Sequence, residues 1–227
     1  MKLSLVLPVY NETHRLKTGL KLALNYLKRQ SYSWEIIVVD DGSTDASTSG
    51  VPRTVKLIKT SRNFGKGHAI HLGVAASRGD YIIFSDIDFS VPPRFITKFL
   101  SALKSADVVI ASRRLSQSRI AKHQSYLRET LGQGFTQLSN FILGLHHSDL
   151  TCGFKGFRKE IAKNIFSHQS LNRWAFDAEI LFLAKKLNYQ VIEVPVTWYN
   201  DPRTKVNLLP DILNSLISLI QIRLIHL

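Results

Sequence analysis

The stretch IIVVDDGSTD, residues 36–45, decides the fold. Its four consecutive aliphatic residues, without polar alternation, predict a strand buried on both faces, as in a parallel sheet covered by helices. Asp40 and Asp41 end that strand, and Gly42 and Ser43 begin a turn. Acids in this position can contact a base or a ribose, or they can cap the following helix. The stretch therefore predicts an α/β fold and leaves the role of its acids open.

Strands and helices alternate around this stretch over residues 1–112. Apolar runs predict the strands, and the segments between them have helical spacing, with one helix expected to close at Gly79. Such alternation favours a mostly parallel central sheet, and ligands bind beyond the carboxyl ends of its strands. The clusters NE, DDGSTD and DID all follow strand ends. We therefore expect them to lie together along one edge of the sheet.

The second half of the chain is less regular, and it ends in an apolar segment. YQVIEVPVTW, residues 189–198, predicts a last strand, and no interdomain linker interrupts residues 1–206. In residues 207–227, polar positions recur every three or four residues, which predicts an amphipathic helix. Asp211 and Arg223 make it a poor membrane span. Its apolar face is suited to a membrane interface, to a partner or to the protein's own core.

Composition limits the partners and the compartment. The net charge of +13 over 227 residues favours an anionic partner, such as nucleic acid, a membrane surface or a phosphorylated substrate. Basic runs are not interleaved with aromatic residues and no nucleic-acid motif occurs, which argues against the first. The single cysteine, Cys152, excludes an internal disulfide and is interpreted as a packed small residue in a reducing compartment. The apolar run before Pro8 is interpreted as a first strand instead of a signal peptide.

YIIFSDIDFS, residues 81–90, places Asp86 and Asp88 at the end of an apolar strand. Two ionised carboxylates about 4 Å apart repel by ~4 kcal/mol at an effective dielectric near 20. A divalent cation removes that cost, and Mg²⁺ is typically held by one or two carboxylates and substrate phosphate oxygens. The alternative is a pair of solvated loop acids. In FGKGHAIHLG the third position of a dinucleotide glycine fingerprint is Ile70, but Lys66 can still contact a diphosphate.

Taken together, the motifs resemble a known family. LPVYNE, IIVVDDGSTD, RNFGKGHA, GDYIIFSDIDFS and ASRR occur in the order and spacing of inverting family 2 glycosyltransferases with the GT-A fold. LRETLGQGF, DLTCGFKGF, RWAFDAEILFLA, EVPVTW and TKV resemble the dolichyl-phosphate β-glucosyltransferase branch and, more distantly, dolichyl-phosphate mannose synthases. The resemblance covers residues 2–206. It implies a nucleotide-sugar-binding part at 1–112 and an acceptor part at 113–206, followed by the helix at 207–227.

The resemblance also implies residue roles on the donor side. Pro8, Tyr10 and Glu12 match positions around the nucleobase and ribose, and Asp40 matches an acid that contacts the base. Asp86 and Asp88 match the motif for Mg²⁺ or Mn²⁺ and the diphosphate, with Asp88 counted among the catalytic residues. A glutamine that can also bind metal in related mannose synthases is Ser90 here.

On the acceptor side, the resemblance assigns arginines to a lipid phosphate. Arg113 and Arg128 match arginines that bind it, and Lys205 matches a basic residue of a segment closing over the site. A phosphate is ionised at pH 7 and needs orientation more than it needs a base. The planar guanidinium of arginine suits this role, because it can bind two phosphate oxygens at once. A serine of mannose synthases corresponds to Gly132, so that contact is absent or replaced. Asp177 is either a base or orienting group near the acceptor, or a helix-start acid that caps Arg173.

The resulting hypothesis is a metal-dependent enzyme that transfers a hexose, with glucose from UDP-glucose expected, to dolichyl or polyprenyl phosphate with inversion to a β linkage. A GDP-mannose-dependent transferase and a family 2 enzyme with a soluble or polysaccharide acceptor are the alternatives. We expect the protein to be cytoplasmic and peripheral at the cytoplasmic face of a membrane.

Overall fold

The structure, a computed structural model, describes residues 2–201 and 208–226, and within them a seven-stranded sheet carries helices on both faces. The strands are β1 (Lys2–Val9), β2 (Ser33–Asp40), β3 (Lys56–Lys59), β4 (Tyr81–Ser85), β5 (Val108–Ser112), β6 (Arg119–Lys122), β7 (Phe154–Arg158), β8 (Val191–Pro195) and β9 (Thr197–Tyr199). The helices are α1 (Thr13–Leu27), α2 (Lys66–Ala76), α3 (Phe95–Ala102), α4 (Tyr126–Leu143), α5 (Lys159–Ser167), α6 (Phe176–Lys186) and α7 (Leu208–Ile225). The predicted α/β class with a mostly parallel sheet and a C-terminal helix is confirmed.

The main sheet has the strand order β3-β2-β1-β4-β7-β5-β8. The strand β7 is antiparallel to both of its neighbours, β4 and β5, and the other pairs are parallel. Successive residues of β1 enter different core layers: Leu5 and Leu7 pack with α1 and α3, and Val6 packs with α2. Burial on both faces explains why these strands are continuously apolar in sequence.

Two predicted boundaries were wrong. The segment 189–198 is not one strand: β8 extends the main sheet, and β9 leaves it to pair with β6, a strand that the polar sequence around it did not indicate. The helix α2 ends at Ala76, where the Ser77 hydroxyl donates to the carbonyl of Gly73 at 2.7 Å and the backbone turns extended. Gly79 has another role, since a Cβ there would lie 2.6 Å from the backbone nitrogen of Ser4 in β1.

The loops after β1 and β2 are hydrogen-bonded to each other at the carboxyl edge of the sheet. The N–H of Asp41 donates to the carbonyl of Val9 at 2.9 Å. The side-chain oxygen of Asn11 accepts from the N–H of Thr44 at 2.8 Å, and the Asn11 N–H donates to the Ser43 hydroxyl at 2.8 Å. The polar clusters that follow these strands therefore lie together, as expected from a parallel sheet.

The C-terminal helix α7 has two different faces. Leu219 and Ile222 are buried in the core layer that contains α4 and α6. Ile217, Ile220 and Leu224 are exposed, by 57%, 57% and 66%. Within residues 2–201 and 208–226, no helix has the length and apolar character needed to cross a bilayer. The packing of α7 on the core is thus compatible with an exposed apolar face.

Candidate active site

A cavity of about 610 Å³ opens at the carboxyl edge of the sheet. It contains nine of the eleven residues proposed for the site in the sequence analysis: Pro8, Tyr10, Glu12, Lys66, Asp86, Asp88, Arg113, Arg128 and Asp177. The other two are Asp40, which is absent from the lining, and Lys205, which lies outside the described residues. Residues separated by up to 169 positions in the chain therefore surround one space.

A tight turn after β4 brings Asp86 and Asp88 to this cavity. The N–H of Phe89 donates to the carbonyl of Asp86 at 3.1 Å, and Phe89 has a φ of 48°. Ile87 and Phe89 are buried, so the two acids that alternate with them are directed to the cavity. The backbone N–H of Ser90 donates to Asp88 at 2.9 Å, and its side chain is bonded to the same carboxylate. Ser90 thus orients Asp88.

Cationic side chains lie against this acidic pair. The Nζ of Lys66 is 2.6 Å from an oxygen of Asp86, and Nη1 of Arg15 is 3.7 Å from Asp88. Burial lowers the pKa of Lys66, but the carboxylates of Asp86 and Asp177 outweigh it and the net shift is upward. Burial, followed by the neighbouring charge of Asp86, raises the pKa of Asp88. Arg15 therefore compensates the charge of Asp88 only in part.

This arrangement fits a divalent cation. Two carboxylates face one cavity, and burial together with the charge of Asp86 raises the pKa of Asp88, so a bound cation would stabilise the ionised pair. Among the described residues, no cluster of three or more His, Cys, Asp or Glu side chains could enclose a metal. The remaining ligands would have to be water and substrate oxygens, which is the way Mg²⁺ is usually held beside phosphates.

Gly153 is a site residue that the sequence analysis did not identify. A Cβ at this position would lie 2.0 Å from Oδ2 of Asp86, and the Gly153 carbonyl accepts from the Asp86 N–H at 3.2 Å. The absence of a side chain therefore permits the observed position of the Asp86 carboxylate. The signal was present in the motif TCGF, where the glycine precedes an apolar strand.

Gly153→Ala should displace the Asp86 carboxylate while leaving the fold intact. We expect metal-dependent binding of UDP to weaken by about tenfold or more, because positioning groups around metal ligands commonly contribute that much. Isothermal titration with UDP and Mn²⁺ measures the effect. Gly134→Ala is the matched control, since a Cβ at Gly134 in α4 has no atom within 4 Å. Equal affinity of the two variants would contradict the prediction.

On the donor side, Glu12 and Asp40 are already engaged within the protein. Glu12 receives two hydrogen bonds from the guanidinium of Arg15, one of them at 2.5 Å from Nε. Asp40 is 3% exposed and accepts from the Ser43 N–H at 2.9 Å. Asp41, which does line the cavity, accepts from the backbone N–H groups of Phe64 and Gly65. Asp40 as a base-contacting residue stays a prediction, and Asp41 shapes the loop that precedes Lys66.

On the acceptor side, Arg113 is held by a buried acid. Its Nε and Nη2 donate to the two carboxylate oxygens of Asp149 at 2.7 and 2.9 Å, and Nη2 also donates to Thr151 at 2.9 Å. The guanidinium lies 5.4 Å from the ring centroid of Trp198. Burial raises the pKa of Asp149, but Arg113 outweighs it and brings that pKa down to about 2. Arg113 is thus fixed in place at the cavity wall.

Asp177 lies in the first turn of α6, as one interpretation of the sequence proposed, but it does not cap Arg173. It forms an ion pair with Lys155, whose side chain is fully buried. The ammonium of Lys155 also donates to the carbonyl of Cys152 at 2.9 Å and lies 5.6 Å from the centroid of the Phe84 ring. The sequence reasoning missed Lys155, although a lone charge between apolar residues in GFKGF was a signal. Cys152 is buried, and burial raises the pKa of its thiol to about 12, which agrees with a packed, unreactive side chain.

Glu179 fixes the loop that leads into α6. Its carboxylate is fully buried and accepts from the backbone N–H groups of Ser170 and Leu171 at 2.8 and 2.9 Å. Its Oε1 also lies 2.8 Å from Nε2 of His226 after α7. The same loop places Trp174 so that the Nζ of Lys66 is 5.7 Å from the centroid of its ring. Glu179 is therefore a structural acid beside the cavity.

This sheet, with an acidic turn at its carboxyl edge, has the GT-A fold of nucleotide-sugar glycosyltransferases. The chain belongs to glycosyl transferase family 2, since the family model with that description matches residues 4–166. The predicted family and enzyme class are confirmed.

Individual relatives are similar over most of the chain. The dolichyl-phosphate beta-glucosyltransferase of Dictyostelium discoideum is 35% identical over 215 residues, covering 86% of this chain and 66% of that protein. The enzyme with the same name from Saccharomyces cerevisiae is 33% identical over 251 residues, covering 99% of this chain and 75% of that protein. The chain thus spans about two thirds to three quarters of these relatives.

Solved structures agree with the fold. Glucosyl-3-phosphoglycerate synthase from Mycobacterium tuberculosis, in complex with Mn²⁺, UDP and glucosyl-3-phosphoglycerate, has a TM-score of 0.73 at 17% identity, covering 96% of this chain and 78% of that one. The same enzyme was crystallised with Mg²⁺ and UDP, with a TM-score of 0.70. At this identity the likeness shows the fold.

Proposed function

We propose that the protein transfers glucose from UDP-glucose to dolichyl or another polyprenyl phosphate, giving a β-linked lipid-phosphate sugar. The observation that carries this proposal is the single cavity that combines an Asp86–Asp88 turn with Arg113 and Arg128. An acidic pair suits a metal-bound diphosphate, and guanidinium groups suit an acceptor phosphate. The similarity to dolichyl-phosphate beta-glucosyltransferases supports the choice of sugar and acceptor.

The chemistry needs mainly positioning by this chain. Asp86 and Asp88 would hold Mg²⁺ or Mn²⁺, which would supply positive charge to the departing diphosphate. Lys66, beside Asp86, adds a further positive charge at that end. Pro8, Tyr10, Glu12 and Asp40 surround the nucleoside in this proposal. Donor binding at this end leaves the opposite part of the cavity to the acceptor.

At the acceptor end, Arg113 and Arg128 orient the lipid phosphate, and Lys205 belongs to the same proposed set. A phosphate oxygen attacks the anomeric carbon, the bond from that carbon to UDP breaks, and the configuration inverts. Because the attacking oxygen is already ionised at neutral pH, no proton has to be removed. Asp177, paired with Lys155, is suited to orienting groups near the acceptor more than to acting as a free base. Catalysis rests on proximity and charge stabilisation.

The test is a transfer assay with UDP-glucose, dolichyl phosphate and Mn²⁺ or Mg²⁺. We expect a lipid-linked glucose that is released by mild acid, and no product when a chelator removes the metal. GDP-mannose replaces UDP-glucose in one arm, and dolichol without phosphate replaces the acceptor in another. Product from GDP-mannose alone would favour the mannosyltransferase alternative, and transfer to soluble acceptors without lipid would overturn the lipid acceptor.

The proposed membrane contact is an apolar face on α4 and α7. Its exposed members are Tyr126, Leu127, Leu138 and Phe141 on α4, and Ile217, Ile220, Leu224 and Ile225 on α7. At about 100° per residue, each set falls within an arc of roughly 140° or less on its helix. The helices pack against each other. We infer that the two sets belong to one surface, here called the α4–α7 face. The helix α4 also carries Arg128, which would bring a lipid acceptor to the cavity from that side.

We infer that the α4–α7 face lies on the cytoplasmic leaflet of a membrane. The net charge of +13 favours anionic lipids, which are enriched there. Phe141→Ser combined with Ile220→Ser should reduce co-flotation with phosphatidylglycerol-containing vesicles by several fold. Leu22→Ser is the control, because Leu22 is 46% exposed on α1, outside this face. Unchanged flotation of the double variant would overturn this orientation.

A further inference from the structure

Two consecutive arginines follow β5, and the structure treats them differently. Arg113 donates hydrogen bonds from its Nε and Nη2 to Asp149 and Thr151. Arg114 also lines the cavity, and its guanidinium makes no hydrogen bond or ion pair with any residue in the described ranges 2–201 and 208–226. Partial burial of a guanidinium that has no hydrogen-bond partner costs free energy, and a bound anionic ligand would offset that cost.

The acids nearest Arg114 are already engaged. Asp149 is fully buried and accepts both donors of Arg113. Glu129 accepts from the Gln124 N–H at 3.0 Å and lies 3.0 Å from Nδ1 of His123. The pKa of Arg114 is lowered by burial and by the charge of Arg113, although Asp149 and Glu129 partly oppose this shift. Within the described residues, Arg114 therefore has no acidic group bonded to it, although it lines the cavity.

The position of Arg114 relative to α4 connects it with Arg128. Arg128 and Gly132 are four residues apart and lie on the same side of the helix. A Cβ on Gly132 would be 3.8 Å from Nη2 of Arg114, so the guanidinium packs directly over the glycine. Arg114 therefore lies in van der Waals range of α4, beside the turn that carries Arg128. Both arginines line the same cavity.

We propose that Arg114 binds the phosphate monoester of the acceptor directly, together with Arg128. This inference rests on the proposed transfer to a lipid phosphate and concerns a residue to which the motif resemblance assigned no role. In this arrangement Asp149 orients Arg113 at the phosphate site, and Arg114 adds a second planar guanidinium group that can bind two phosphate oxygens.

The test compares Arg114→Ala with the wild-type protein for binding of a water-soluble short-chain prenyl phosphate, measured by calorimetry with UDP and Mn²⁺ present. We expect binding to weaken by about tenfold or more, as for loss of a charge-assisted contact. Affinity for UDP should stay unchanged. Arg114→Lys should recover part of the lost affinity for the prenyl phosphate, because lysine keeps the positive charge but cannot bind two phosphate oxygens with one planar group.

Three controls keep the outcomes separate. Arg119→Ala removes an exposed arginine of β6 that is outside the cavity lining, and it should bind the probe normally. The corresponding prenol, without phosphate, and inorganic phosphate separate the contribution of the tail from that of the charge. Equal probe binding by Arg114→Ala and wild type, or an equal loss in Arg119→Ala, would overturn the role of Arg114. Normal probe binding with no sugar transfer by the wild type would instead count against the proposed function.

Discussion

Asp88→Ala is expected to reduce kcat/KM for sugar transfer by about 10³-fold, the range seen when a principal electrostatic group is removed from an active site. The structure explains why Asp86 cannot compensate: its carboxylate already lies 2.6 Å from the Nζ of Lys66. Without Asp88, the remaining acid and this lysine are close to neutral as a pair. The increase in UDP affinity that Mn²⁺ produces should therefore disappear in a titration with and without the metal.

The control for this result is Ser90→Ala. The backbone N–H of Ser90, which donates to Asp88 at 2.9 Å, is retained in that variant, so only a small loss is expected. Metal-dependent UDP binding that survives in Asp88→Ala would contradict a metal site at this turn. Equal losses in Asp88→Ala and Ser90→Ala would instead indicate that the hydroxyl is itself a ligand.

Lys155→Met should lower the free energy of unfolding by about 3 kcal/mol or more, which is typical when one partner of a buried ion pair is removed. Lys155 is fully buried and Asp177 is 4% exposed, so the substitution leaves a carboxylate with little access to water. Lys66, whose pKa Asp177 also raises, can offset only part of that charge because it is already bound to Asp86. Urea denaturation followed by circular dichroism measures the change.

The double variant Lys155→Met with Asp177→Leu separates stability from function. Replacing a buried ion pair by apolar residues is often close to neutral, so the double variant should regain most of the stability lost by the single one. Since Asp177 lines the cavity, we expect its turnover to remain low. Full turnover in a stable double variant would show that Asp177 has a structural role only. If stability does not recover, the broken ion pair is not the cause of the destabilisation in Lys155→Met.

Much of the fold was predictable because its signals are local. The aliphatic run in β2 and the acids after β1, β2 and β4 each follow from a few neighbouring residues, and a parallel sheet then brings the strand ends together. The strand β6 was not predictable in this way. It is polar, and its partner β9 is a short segment more than 70 residues later in the chain, so pairing depends on tertiary context.

The residues of the candidate site were likewise predictable only where the signal was local in sequence. Asp86 and Asp88 could be identified from a short motif, whereas the roles of Gly153 and Lys155 depend on contacts with Asp86 and Asp177, which are distant in sequence. The difference between Arg113 and Arg114 also required the structure, because adjacent arginines have the same local pattern and only the position of Asp149 distinguishes them.

The place of β7 in the sheet has a consequence for synthesis on the ribosome. This strand lies between β4 and β5, so β5 has no strand partner until residues 154–158 have been made. The first four strands can pair as they emerge. Once β5 has been made, however, it must wait for some 40 further residues before β7 joins it to β4, and β8 is added later still. During that interval the apolar segment 108–112 is exposed to aggregation and to chaperones. The boundary proposed at residue 112 therefore does not separate two parts that can each complete their folding alone.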